Sequence, residues 1–236
     1  MRLCWTGGTP ILIMAVMTDP QQITRMSTLE EVIRSRRSCR SFSGQVPDEV
    51  LQKIVDSAVY APFAAGAGIP LKEGRRIFIF RQGTKPMDQA RQIIEAQLRS
   101  GASKIGMAVR LLPFLRKKMQ FFADRISTTA EKGIPGLTEG SFYIVAAEKK
   151  GFPPLAEQTL AHVMENMWLT ATAHGVGLQM LSVTNGLAKN TQFMQLLDLP
   201  PKEWALNGCI IGMPKHLPQG TGIRKRETEH FIRWVE

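Results

Sequence analysis

The stretch RSRRSCRSF, residues 34–42, carries four arginines and decides how the rest of the sequence is interpreted. It follows Ser27 and Glu30, whose spacing is that of a capping box at the start of a helix. The sequence therefore predicts a short helix that leads directly into an arginine cluster. Three interpretations fit such a cluster: a solvated basic face, an arm that binds nucleic acid, or a pocket for one particular anion.

The overall charge favours an anionic partner without identifying it. The 236 residues include 30 Lys and Arg against 20 Asp and Glu, a formal net charge of +10, so both a polymer and a small phosphate compound are possible partners. Cys4, Cys39 and Cys209 form no C-x-x-C pair, which indicates neither a disulfide framework nor a zinc site. A reducing cytoplasm is the expected location.

The N-terminal residues differ in character from the rest of the chain. The apolar run PILIMAVM (10–17) is followed by no small-x-small cleavage site, and it is shorter than the ~20 apolar residues of a membrane-spanning helix. We expect residues 1–26 to be a flexible arm or a start-site artefact. Residues 27–236 should form a single domain that does not enter a membrane.

The remaining apolar patterns predict both helices and strands. The pattern over 46–62 predicts a helix that ends before Pro62, and a further helix is predicted over 159–174. Residues 86–127 should be largely helical, with an interruption at Pro113. Strands are predicted at RRIFIFR (75–81), SFYIVAAEK (141–149), LQMLSV (178–183) and ALNGCIIGMP (205–214), with a short helix at 193–197. The tail HFIRWV (230–235) is too apolar for a loose end, and we expect it to pack on the body or on a second copy of the chain.

The sequence lacks the motifs of a self-sufficient catalytic site. It has no G-x-S-x-G, no H-E-x-x-H, no Walker loop and no G-x-G-x-x-G after a strand, and His162 and His174 are too far apart to share a metal. Cys39 is either a thiol activated by the neighbouring arginines or a small spacer. Any redox chemistry would therefore depend on a cofactor that brings the reactive atoms.

Four segments resemble the nitroreductase-like flavoprotein family. The opening RRSCRSF (36–42) with VPDEVLQKIVDSAVYAP (46–62) is similar to the start of that family, and ENMWLTATAHGVGLQML (165–181) looks like its central helix and following strand. The segments LLDLPPKEWALNGCIIGMPKH (196–216) and GIRKRETEHFIRWV (222–235) resemble its C-terminal half. The four occur in the order and spacing of the family.

The resemblance implies an α+β fold with a mixed, mainly antiparallel central sheet flanked by helices. It further implies a homodimer that holds one FMN in each of two clefts at the subunit interface. The implied activity is that of an oxidoreductase that takes hydride from NADH or NADPH and reduces a nitroaromatic, quinone or similar acceptor by a ping-pong cycle. Because the flavin is both acceptor and donor, no catalytic side chain and no metal ligand is assigned.

The resemblance also assigns cofactor contacts to residues of this sequence. A guanidinium group can hold two phosphate oxygens at once, which fits an arginine cluster around FMN. Arg40 would lie near the pyrimidine edge of the flavin, where a cation stabilises the anionic reduced ring. The implied FMN contacts are Arg36, Arg37, Ser38 and Arg40 on the N-terminal side, Pro62, Phe63 and Ala64 from the partner subunit, Leu181, Ser182 and Val183 near the ring, and Arg224 and Arg226 at the phosphate.

One segment departs from the family pattern. Where members read A-P-S-x-x-N-x-Q-P-W, this sequence has APFAAGAGIPL (61–71), with Phe63 in place of the serine. The loss of polar side chains predicts a less polar substrate pocket. It also leaves open a flavin-binding or flavin-handling protein with little turnover. A nucleic-acid-binding protein is the third reading, but no base-stacking aromatics are interleaved with the basic residues, so we expect no nucleic-acid partner.

Overall fold

The structure is a computed structural model that describes residues 29–64, 68–111, 113–216 and 232–235. The predicted capping residue Ser27 lies outside these ranges. The helices are α1 (Leu29–Ser35), α2 (Asp48–Val59), α3 (Leu71–Gly74), α4 (Lys85–Leu111), α5 (Pro113–Lys132), α6 (Pro135–Glu139), α7 (Ala156–Ala173), α8 (Val183–Leu187) and α9 (Thr191–Leu196). The strands are β1 (Arg75–Arg81), β2 (Phe142–Lys149), β3 (Gly177–Met180) and β4 (Trp204–Gly212).

The four strands form one sheet in the order β1-β2-β4-β3, and each neighbouring pair is antiparallel. Helices cover both faces of the sheet, so β2 is buried over nearly its whole length. Successive side chains of a strand point to opposite faces. Tyr143 and Val145 therefore belong to one core, while Phe142 and Ile144 belong to the other.

Different helices pack against the two faces of the sheet. On one face, Met87 and Ile94 of α4 pack with Phe193 of α9. On the other face, α7 contributes a stripe at helical spacing that packs with Ile54 and Ala58 of α2. The buried side chains of that stripe are Leu160, Val163, Met164, Met167 and Ala171. The predicted helix over 159–174 is confirmed and begins three residues earlier.

The arginine stretch runs along the free edge of β3. Ser38 forms a parallel bridge with Leu178, and Phe42 forms an antiparallel bridge with Pro214. The four strands themselves are all antiparallel, so the mixed character that the resemblance implies is limited, among the described residues, to this isolated bridge. The approach is close enough to require glycine: a Cβ on Gly177 would lie 2.7 Å from Cys39 Sγ, which real side chains do not tolerate.

The predicted strand LQMLSV is wrong in its second half. β3 ends at Met180, Ser182 has helical backbone angles (φ −60°, ψ −24°), and α8 begins at Val183. The other predicted elements are confirmed, including the interruption at Pro113, which is the first residue of α5.

The described residues of the C-terminal tail are largely exposed. Ile232, Trp234 and Val235 are 59%, 85% and 91% exposed. The expectation that HFIRWV packs on a second copy stays a prediction, and Phe231 lies outside the described residues.

Candidate functional site

Arg36 is held by two side chains of α7. Its Nε lies 3.3 Å from Glu165 Oε1, and its guanidinium carbon lies 4.1 Å from the centre of the Trp168 ring. Glu165 therefore occupies the Nε edge and Trp168 covers one face. Within the described ranges, the two terminal nitrogens of Arg36 have no hydrogen-bond acceptor. The group is thus fixed while part of its donor capacity is free.

Arg37 has a different position. Its Nη1 donates to the carbonyl oxygen of Arg34 (2.8 Å), in the last turn of α1, and to that of Arg36 (2.7 Å), the residue after the helix. The last carbonyls of a helix lack intrahelical donors, so this guanidinium caps α1. The carbonyl of Arg37 itself accepts a hydrogen bond from Trp168 Nε1 at 3.2 Å. The indole therefore fixes the backbone beside Ser38.

Cys39 is a packed spacer rather than an activated thiol. Its N–H donates to Leu178 O at 3.0 Å, and its thiol donates to Ser41 O at 3.3 Å. Burial raises the pKa of the Cys39 thiol, although the Ser41 hydrogen bond and the Arg40 charge act in the opposite direction. A reactive thiol requires a lowered pKa.

Arg40 is the most available cation of the stretch. It is exposed, and it forms no ion pair or side-chain hydrogen bond with any described residue. The parallel pairing of Ser38 with Leu178 carries the chain alongside β3, toward the strand end that leads into Leu181. The sequence-predicted groups 36–40 and 181–183 are thus brought to the same edge of the sheet.

The turn at residues 181–183 is held from inside the protein. The Leu181 N–H donates to Gly208 O at 2.8 Å, and Thr184 Oγ1 shares a 2.9 Å hydrogen bond with the Tyr143 hydroxyl. Burial raises the pKa of Tyr143, so the phenol keeps its proton. Leu181 is buried in the core and offers only its backbone, whereas Ser182 is exposed and Val183 is half-buried.

Residues 61–63 are held by a buried arginine that the sequence analysis missed. All five N–H donors of Arg75 are used. Three of them donate to backbone carbonyls, those of Ala58 (3.3 Å), Ala61 (2.9 Å) and Pro62 (2.6 Å). The other two donate to Glu148 Oε2, at 3.1 and 2.9 Å. Thr159 donates to the other oxygen of Glu148. Arg75 and Glu148 are direct cross-strand partners, so pairing the two predicted strands in register would have revealed the ion pair.

Phe63 packs within its own chain. A Cβ on Gly74 would lie 2.3 Å from Phe63 Cζ, and the Arg75 guanidinium carbon lies 5.4 Å from the ring centre. Because Arg75 is on β1, this segment is fixed near the sheet edge opposite β3, with about 14 Å between the outer strands at ~4.8 Å per step. The pairing of the arginine stretch with β3 therefore does not by itself place that stretch beside Pro62–Ala64. Arg224 and Arg226 lie outside the described residues.

The described ranges contain neither a cluster of metal ligands nor a membrane-spanning helix. No group of His, Cys, Asp and Glu there could hold a metal ion. No helix in the same ranges combines the length and apolar character needed to cross a membrane.

Comparison with known proteins agrees with this architecture. A BluB-like flavoprotein from Clostridium difficile 630 superposes with a TM-score of 0.62 at 16% identity, covering 89% of this chain and 99% of that one. Nitroreductases with bound FMN from Bacteroides fragilis NCTC 9343 (TM-score 0.60, 16% identity, 89% and 100% covered) and Desulfitobacterium hafniense DCB-2 (0.59, 21%, 88% and 98%) share the fold. No curated protein matches the sequence. The model of the nitroreductase family matches residues 33–213, which is most of the chain. The chain therefore belongs to the nitroreductase family.

Proposed function

We propose that this protein is an FMN-dependent oxidoreductase that takes hydride from NADH or NADPH and reduces a nitroaromatic, quinone or similar flat acceptor. The observation that carries the proposal is the pairing of Ser38 with Leu178, which brings the arginine stretch and the 181–183 turn to one sheet edge. The bound FMN named for two structural neighbours supports the choice of cofactor.

The donor set of this edge fits a phosphate-bearing cofactor. Among the described residues, Arg40 is exposed without a partner and the terminal nitrogens of Arg36 have no hydrogen-bond acceptor, while Ser38 is half-buried. Guanidinium groups form charge-assisted hydrogen bonds with phosphate oxygens and can do so in pairs. We assign Arg36, Ser38 and Arg40 to cofactor binding, and we assign Arg37 to holding their backbone. Arg224 and Arg226 of the tail are proposed as further phosphate contacts.

The residues around the ring have supporting roles. FMN, when bound, supplies the hydride acceptor and donor, so the chain needs no nucleophile. The cation of Arg40 would favour negative charge on the reduced cofactor. Ser182 offers a hydroxyl at the exposed turn, Val183 offers an apolar edge, and Leu181 contributes its backbone.

We further propose that the active unit is a homodimer in which Pro62, Phe63 and Ala64 come from the partner. Two observations support this. These residues are fixed near β1, across the sheet from the arginine stretch, and the tail residues Ile232 and Trp234 are exposed in the single chain. An apolar surface of this kind is typical of an interface.

Steady-state kinetics test the proposed activity. We expect oxidation of NADH or NADPH that accelerates with added quinone, and parallel double-reciprocal plots when both substrates are varied. The matched control is free FMN at the same concentration. A chain that binds flavin but oxidises neither nucleotide faster than free FMN would instead support the flavin-handling alternative, which the altered segment 61–71 favours.

A further inference from the structure

Two side chains of α7, Glu165 and Trp168, contact the arginine stretch. Glu165 and Trp168 both contact Arg36, at 3.3 Å and 4.1 Å, and Trp168 also donates to the Arg37 carbonyl at 3.2 Å. α7 is part of the buried core through Met164 and Met167, which flank these positions on the helix. The contacts therefore tie a surface segment to a rigid element.

The contacts with Glu165 and Trp168 orient the guanidinium group of Arg36 without using its terminal nitrogens. Glu165 is on the Nε side and the indole lies against one face, so neither group occupies the terminal nitrogens. An arginine side chain loses considerable rotamer freedom when it is fixed, and a group that is already fixed binds its ligand at lower entropic cost. The carboxylate also balances the charge of Arg36 beside Arg37 and Arg40.

We propose that Trp168 and Glu165 are positioning residues that preorganise Arg36 and the 36–38 backbone for the phosphate of the cofactor. The proposal rests on the proposed FMN site. Riboflavin differs from FMN by the phosphate alone, so Trp168 and Glu165 should favour FMN over riboflavin. Neither residue is proposed to contact the cofactor.

The test compares the dissociation constants of FMN and riboflavin, measured by fluorescence quenching on the flavin-stripped full-length chain. In Trp168→Leu, which removes both the ring face and the N–H donor, we expect the FMN constant to rise about fivefold to thirtyfold, the range that a cation–π contact and a hydrogen bond of this kind supply. The riboflavin constant should change less than about twofold. A merely structural role would weaken both flavins equally.

Two further variants keep the test decisive if Trp168→Leu does not fold. Trp168→Phe keeps an aromatic face and should lose only part of the preference. Glu165→Gln should also lower it, whereas Glu157→Gln, an exposed glutamate on the same helix, should leave it unchanged. In an Arg36→Ala background, the effect of the Trp168 substitution on FMN affinity should shrink to the part that acts through the Arg37 carbonyl, because a positioning residue acts through the groups it positions.

The outcomes distinguish this inference from the proposed function. A wild-type chain that binds neither flavin overturns the proposed function, and the inference with it. A wild-type chain that prefers FMN, with the same preference in the Trp168 and Glu165 variants, overturns the inference alone.

Discussion

Arg75→Met should destabilise the protein strongly, because it breaks a buried ion pair from one side. The side chains of Arg75 and Glu148 are only 3% and 2% exposed. The substitution leaves the Glu148 carboxylate buried with Thr159 as its remaining partner. It also removes the donor to the carbonyls of Ala58, Ala61 and Pro62.

The expected magnitude follows from the burial of the pair. Removing one partner of a buried ion pair lowers the free energy of unfolding by about 3–5 kcal/mol. For a chain of this length, each 1 kcal/mol lowers the melting temperature by about 2–4 °C, so Arg75→Met should lower it by about 6–20 °C. Arg75→Met/Glu148→Met removes both charges and should recover at least half of that loss, since a buried pair is often replaceable by apolar side chains.

Urea and thermal unfolding, followed by circular dichroism on flavin-free samples, measure these values without the stabilisation that a bound ligand adds. Arg76→Met is the matched control, because Arg76 is the exposed neighbour on the same strand and loses only hydrogen bonds to the carbonyls of Lys72 and Arg75, which should cost about 0.5–1.5 kcal/mol. An Arg75→Met chain as stable as the Arg76→Met chain would show that the ion pair does not stabilise the fold, and a double variant less stable than Arg75→Met would show that the unpaired Glu148 charge is not the source of the loss.

Three other substitutions or truncations have defined outcomes. Tyr143→Phe leaves the buried Thr184 hydroxyl without its partner and should cost about 1–3 kcal/mol by urea unfolding, whereas an unchanged midpoint would mean that this bond does not hold the 181–183 turn. Phe63→Ser should raise kcat/KM for a bulky quinone more than for a small nitroaromatic. If the variant keeps the wild-type kcat/KM for each of the two substrates, Phe63 does not border the active site. Deleting residues 1–25 should leave the melting temperature and flavin content unchanged, and a large loss of either would show that the segment packs on the domain.

Patterns that depend on neighbouring residues alone were predictable from the sequence. The continuous apolar run of β2 and the helical spacing of α7 are local signals, and both elements lie where expected. The turn at Leu181–Val183 was not predictable, because the run LQMLSV favours a strand throughout. Contacts with Gly208 and Tyr143, which are distant in sequence, override that preference.

The same distinction applies to the site. Motif order identified the arginine stretch, but three of its arginines have different environments that no motif specifies. Arg37 caps α1 and Arg36 is held by α7, whereas Arg40 is exposed. The role of Arg75 depends on its register with Glu148, which becomes visible only when β1 and β2 are paired.

If the arginine stretch and the tail hold FMN, the flavin content of the purified protein should show it. The absorption spectrum of the wild-type chain should contain a flavin band, either as purified or after incubation with FMN. Each charge-assisted phosphate contact contributes about 1.5–3 kcal/mol, so Arg36→Ala/Arg226→Ala should weaken binding by about 10²–10⁴-fold and lose the band on gel filtration. A wild-type chain that takes up no FMN would show that the protein does not bind this cofactor, and a double variant that retains FMN fully would show that Arg36 and Arg226 do not hold its phosphate.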